Sequence, residues 1–128
     1  MNKFSFLAVF LVCTSAHATA DFCNVAGHYT GAYNGNIDGG TLVAMVDPDD
    51  GTLRGTAISA DGRRSSFGGV IAAGGNFSSG AAATGARFVG RFWQGSDGGT
   101  YGRGDWVLVG GQGGTWEVVR DATTNSCQ

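Results

Sequence analysis

From Gly27 onward apolar and polar positions alternate along the chain. In GARFVGRFWQG, residues 85 to 95, Ala86, Phe88, Gly90 and Phe92 share one side, and Arg87, Val89, Arg91 and Trp93 the other. That period of two is the mark of a strand with one buried face. Glycine-rich turns punctuate the alternation: GGTL at 39–42, DGTL at 50–53, GGNF at 74–77, GGTY at 98–101 and GGTW at 113–116. Each turn is followed by Thr or Asn and then a large apolar residue. Glycine supplies the positive φ of a tight hairpin, threonine suits the outer face of a strand, and the next side chain then points inward. The segments between turns predict about eight strands: 27–34, 41–46, 52–59, 65–71, 76–80, 84–94, 100–109 and 115–120. No helical periodicity follows residue 21.

Several of these strands carry a glycine at their centre. Gly90 lies between Phe88 and Phe92, Gly31 between Tyr29 and Tyr33, Gly69 between Phe67 and Ile71, and Gly102 and Gly104 precede Trp106 at the same spacing. All fall on the apolar side. Bare positions there are what a strongly coiled sheet needs to close around large side chains. The expectation is an all-β domain, a small antiparallel up-and-down barrel, with a β-sandwich as the alternative. In its strand–turn rhythm the chain resembles small secreted calycin-type barrels such as avidins and lipocalins. That resemblance implies the barrel fold and carries no residue role. An eight-stranded outer-membrane barrel fits less well, because it needs strands of about 9–11 residues with outward apolar bands.

Strand 100–109 sets two rules against each other. The turn rule points Tyr101 inward, and with it Arg103 and Asp105. The glycine rule points Trp106 inward, which is the opposite parity. A bulge at Gly102 or Gly104 is expected to reconcile them and leave both charges outside. Without it Arg103 and Asp105 would form a buried pair marking a polar ligand site.

The first twenty residues change the composition. MNKFSFLAVFLVCTSAHATA has a basic start, a short apolar run and small-x-small cleavage sites after Ala18 or Ala20, which reads as a secretory signal peptide. The run is too short for a membrane span, which takes about 20 residues. The expected organisation is a signal peptide over 1–20 and one glycine-rich β domain over 21–128, exported to the periplasm or secreted. Loss of Lys3 leaves seven arginines against ten acidic residues, a net charge of −3. Cys23 and Cys127 remain and are expected to pair as a disulfide near the two ends of the domain. A loop of roughly 100 residues closed this way is worth up to roughly 4.7 kcal/mol.

Candidate chemistry is sparse. His28 is the one histidine after residue 20, no G-x-S-x-G elbow is present, and Glu117 is expected to face solvent. Asp47, Asp49 and Asp50 with Gly51 offer oxygen ligands for a hard cation, but the segment reads better as a hairpin turn with local backbone bonds. Net negative charge and the single Arg63–Arg64 cluster argue against nucleic acid. No cofactor is expected. NFS at 76–78 is a glycosylation sequon, but the leader has a bacterial look and no glycan is expected. The candidate binding residues are Arg87, Arg91 and Trp93, because arginine and tryptophan are enriched at binding hot spots, together with Arg103 and Asp105. The functional expectation is a non-catalytic binding module for a protein, such as a hydrolase to be inhibited, or for a small ligand in the barrel mouth. The rivals are a small hydrolase using aspartates and a structural envelope component.

Overall fold

The computed structural model describes residues 22–79 and 86–121. It is a closed barrel of eight antiparallel strands in simple sequence order: β1 (Gly27–Gly35), β2 (Gly40–Val46), β3 (Thr52–Ser59), β4 (Arg64–Ile71), β5 (Asn76–Ser79), β6 (Arg87–Gln94), β7 (Thr100–Val107) and β8 (Gly113–Arg120). β8 returns to pair with β1, so Tyr33 lies opposite Trp116 and the ring closes. The sandwich alternative is excluded by that pairing. Strand ends differ from expectation in β6, which begins at Arg87, in β8, which begins at Gly113, and in β7, which stops at Val107 because Leu108 opens a turn with Gly110 and Gly111 at φ of 106° and 93°.

The inward face alternates large and bare positions around the ring. In one row Phe77 lies opposite Gly90, Gly90 opposite Gly104, Gly104 opposite Trp116, and Trp116 opposite Tyr33. In the next, Phe92 lies opposite Gly102, then Val118, then Gly31 and Leu42. The missing side chains leave room for rings from elsewhere. A Cβ at Gly102 would stand 2.6 Å from Cε2 of Phe92, and one at Gly90 would stand 2.7 Å from Cζ2 of Trp116. The Trp116 ring lies over the bare strands and donates its Nε1–H to the carbonyls of Val89 and Asp105, both at 3.1 Å. A mid-strand glycine here is a seat for an aromatic ring. Phe77, Phe92, Trp116 and Tyr29 meet edge-on or tilted at centroid distances of 5.1–5.9 Å. The void left at the centre is about 10 Å³, at the limit of one water molecule. Among the described residues the interior is therefore a packed core.

The conflict in β7 is settled without a bulge. Its register is unbroken against both β6 and β8. The glycine rule holds, the turn rule fails at this one unit, and the expected bulge is absent. Thr100 is 1% exposed and Tyr101 points outward. Outside, Tyr101 packs on Trp93 at 5.8 Å and gives its hydroxyl to Asp97, so facing solvent leaves neither its ring nor its oxygen unpartnered. Arg103 and Asp105 consequently lie on the outer face, and no buried ion pair exists there.

The two ends of the barrel differ. One end is plugged by the turn at residues 22–26, where Val25 and Ala26 are buried. Tyr29 donates to the Val25 carbonyl at 2.6 Å, and Arg120 Nη1 reaches the carbonyls of Cys23, Asn24 and Ala26 at 3.4, 3.3 and 2.9 Å. Among the described residues nothing plugs the opposite end. Residues 1–21, 80–85 and 122–128 lie outside the described residues, so the leader and Cys127 do too, and the Cys23–Cys127 bridge remains a proposal. Among the described residues no helix is long and apolar enough to cross a membrane. The outer face is mixed: Arg54, Arg91, Arg103 and Glu117 stand there beside Val43, Met45, Val70, Val89 and Val119, while the continuous apolar core is inside.

Candidate binding surfaces

The open end forms a cleft of about 250 Å³. Its floor is aromatic. Phe67 stacks on Phe88 at 5.0 Å, Phe88 on Trp106 at 6.4 Å, and Tyr33 meets Trp106 edge-on at 5.6 Å. These four reach the mouth because they occupy inward positions of β1, β4, β6 and β7 toward the open end. The Trp106 indole donates to the Asn34 carbonyl at 3.0 Å, so the ring is fixed rather than available as a donor.

The rim is polar. Tyr33 donates its hydroxyl to Asp38 Oδ2 at 3.2 Å, while Asp38 Oδ1 accepts the Gly39 N–H at 2.9 Å. On the neighbouring turn, tied to Gly39 by the Ala60 N–H at 3.0 Å, Asp61 accepts from the Ser59 hydroxyl, from the Arg63 backbone N–H at 3.2 Å and from Arg63 Nε at 2.9 and 3.1 Å. The Ser59 hydroxyl and then the Arg63 donors hold the Asp61 carboxyl down to about 2. Burial, and then the Asp38 carboxylate, raise the Tyr33 hydroxyl above its ordinary value. Near neutral pH Asp61 stays charged and Tyr33 stays protonated, so neither exchanges a proton readily. What the rim offers an incoming group is the remaining acceptor capacity of Asp38, the Nη donors of Arg63 and the hydroxyl of Ser65.

Sequence reasoning missed this cleft. Asp38 lies in the turn between β1 and β2, while Ser59, Asp61, Arg63 and Ser65 belong to the end of β3, the next turn and the start of β4, and β2–β3 pairing, with Gly40 opposite Ser59 and the Ala60 N–H on the Gly39 carbonyl, brings the two groups together. Arg63 had been visible as part of a turn cluster, without a partner to give it meaning.

The residues singled out from sequence do converge, on a different surface. Arg87, Arg91 and Trp93 of β6 and Arg103 and Asp105 of β7 all lie on the outer face of adjacent strands. Arg91 stands opposite Arg103, Val89 opposite Asp105, and Trp93 opposite Tyr101. Arg103 lies 3.7 Å from Glu117, both about two-thirds exposed, a surface pair of small energetic weight. Glu117 thus faces solvent, and His28 lies on the outer face of β1, away from the mouth.

The aspartate turn is organised by its own backbone. Asp47 Oδ1 accepts the Asp49 N–H at 2.7 Å, Asp50 Oδ1 accepts the Thr52 N–H at 2.9 Å, and Gly51 takes φ of 75°. The Thr52 N–H holds the Asp50 carboxyl below its usual range. Among the described residues no group of three His, Cys, Asp or Glu is placed to hold a metal ion. No family model, no curated protein and no solved structure matches the chain.

Proposed function

We propose that this protein is an exported, non-catalytic binding domain, secreted or periplasmic, that takes a small ligand, or a protruding group of a larger one, in the open mouth of the barrel. The observation that carries the reading is the asymmetry of the ends among the described residues: one is sealed by residues 22–26, and the other is a polar-rimmed cleft over an aromatic floor. Convergent polar groups around an apolar concavity are the usual form of a ligand site. At about 250 Å³ the cleft falls just below the roughly 300–1,000 Å³ of drug-sized pockets, which favours one compact ring or a chain end. The resolved shifts of described carboxylates are all downward, at Asp50, Asp61 and Asp97. A hydrolytic acid needs one raised, so these three support binding over the aspartate-hydrolase reading.

The test is a fragment screen by two-dimensional NMR on residues 21–128. Binding at the mouth shifts the Trp106 indole and the backbone of Ser59 and Ser65, and Asp38→Ala and Arg63→Ala weaken it. Hits scattered over the surface and untouched by those variants would refute the mouth as the site. Turnover of any glycan, ester or peptide substrate, abolished by Asp38→Asn or Asp61→Asn, would refute the non-catalytic reading.

A further inference from the structure

The barrel keeps its aromatic side chains inside with one exception on its wall. Among the described residues, Trp93 and Tyr101 are the aromatics on the outer face of the strands. They pack against each other with rings tilted by 35° at 5.8 Å beside Val119, with Trp93 36% and Val119 48% exposed. The next row along the same face reads Arg91, Arg103, Glu117. Arg91 and Arg103 are directly opposed across the strand pair, where like charges are unfavourable. Glu117 relieves Arg103 only at 3.7 Å, and among the described residues no carboxylate lies within ion-pair distance of Arg91 or Arg87. The chain as a whole is acidic, yet three of its seven arginines, Arg87, Arg91 and Arg103, stand on this one face against the two carboxylates of Asp105 and Glu117.

We propose that the outer face of β6, β7 and β8 docks an extended acidic segment of a partner protein. A carboxylate of that segment sits between the Arg91 and Arg103 guanidiniums, and an apolar side chain two residues along rests on Trp93, Tyr101 and Val119. Two features set this pattern. A carboxylate between the opposed arginines converts a repulsion into charge-assisted hydrogen bonds. Successive rows on one face of a sheet are about 6.6–6.8 Å apart, which is also the spacing of side chains i and i+2 on an extended chain. The recognised sequence is therefore acidic–x–apolar. This surface shares no residue with the mouth, so the two readings stand or fall separately.

The experiment selects a displayed library of random linear peptides on the wild-type domain. The best synthetic peptide is then measured against wild type, Arg91→Gln/Arg103→Gln and Trp93→Ala. The expected winners carry Asp or Glu two positions from a large apolar residue. Their affinity falls tenfold or more in the double arginine variant, falls in Trp93→Ala, and declines with added salt. Thermal melts equal to wild type establish that the variants fold; if either melts lower, Arg91→Lys and Trp93→Phe replace them, with the same direction of loss expected. Winners without an acidic position, binding unchanged by these substitutions, or no enrichment at all overturns the proposal. Capture of a polyanion such as DNA through the same arginines, with no peptide selected, also overturns it.

Discussion

Replacing Gly90 by alanine adds a single methyl group where the barrel has no space for one. The new Cβ would collide with the Arg103 carbonyl oxygen and stand 2.7 Å from Trp116 Cζ2, whereas carbon contacts settle near about 3.5–4.0 Å. Ring or strand must therefore retreat by roughly 1 Å. Trp116 cannot retreat freely, because its buried indole N–H is held by the Val89 and Asp105 carbonyls at 3.1 Å. Overpacking of this kind costs about 1–3 kcal/mol, and stripping the indole of its acceptors costs about 1–3 kcal/mol more. A combined loss of about 3 kcal/mol lowers Tm by roughly 12–24 °C in a domain of this size. The assay is thermal unfolding followed by circular dichroism, with Gly74→Ala as control. A Cβ at Gly74 meets nothing within 4 Å, so that variant melts within about 1 kcal/mol of wild type, on the stable side. In a Trp116→Leu background the cost of Gly90→Ala shrinks, since part of the obstruction has gone. Gly90→Ala melting together with Gly74→Ala, or costing the same with and without Trp116, would refute the idea that mid-strand glycines seat aromatic rings.

Two further outcomes follow from the ends and the core. All three tyrosines are raised: Tyr29 by burial, Tyr33 by burial and then Asp38, and Tyr101 by its bond to Asp97. The folded protein holds these protons where the unfolded chain loses them, so the stabilisation is complete below about pH 10 and is lost as pH climbs above it. Phenolate absorbance is expected to lag behind free tyrosine and to rise together with alkaline unfolding; three tyrosines titrating near pH 10 in a folded barrel would contradict this. Arg120→Met keeps the side-chain stem but removes the donors to Cys23, Asn24 and Ala26, at a cost of about 1–3 kcal/mol. Amide exchange of Val25 and Ala26, which bond to the Phe22 carbonyl, then accelerates while β3 and β4 are unchanged; uniform acceleration across the barrel would show that Arg120 does not act on the plug.

The fold was legible because its signals were local and repeated. Period-two alternation located every strand, and the spacing of Phe88, Gly90 and Phe92 already carried the closure. Tyr101 shows the limit of such rules. Four of the five turn units put the large residue inside, at Leu42, Leu53, Phe77 and Trp116. The fifth does not, because Trp93 on the neighbouring strand gives Tyr101 an outside partner that the turn itself cannot reveal. The outer arginine–tryptophan surface was readable for a related reason: it belongs to two adjacent strands. The mouth was not, since Tyr33 and Asp38 belong to one hairpin and Asp61 and Arg63 to another, and they meet only through the pairing of β2 with β3 and the shape of the two turns.

The plug has a geometric corollary for how the barrel meets its surroundings. Phe22 and Asp121, where the described chain begins and ends, lie at the sealed pole, with the Asp121 N–H bonded to the His28 carbonyl. Anything joined directly at Phe22 or Asp121, whether a support, a fluorophore or a second domain, is carried at that pole and points the cleft away from the attachment. The barrel is thus a polarised object, entered and left by the described chain at one end and presenting the cleft at the other.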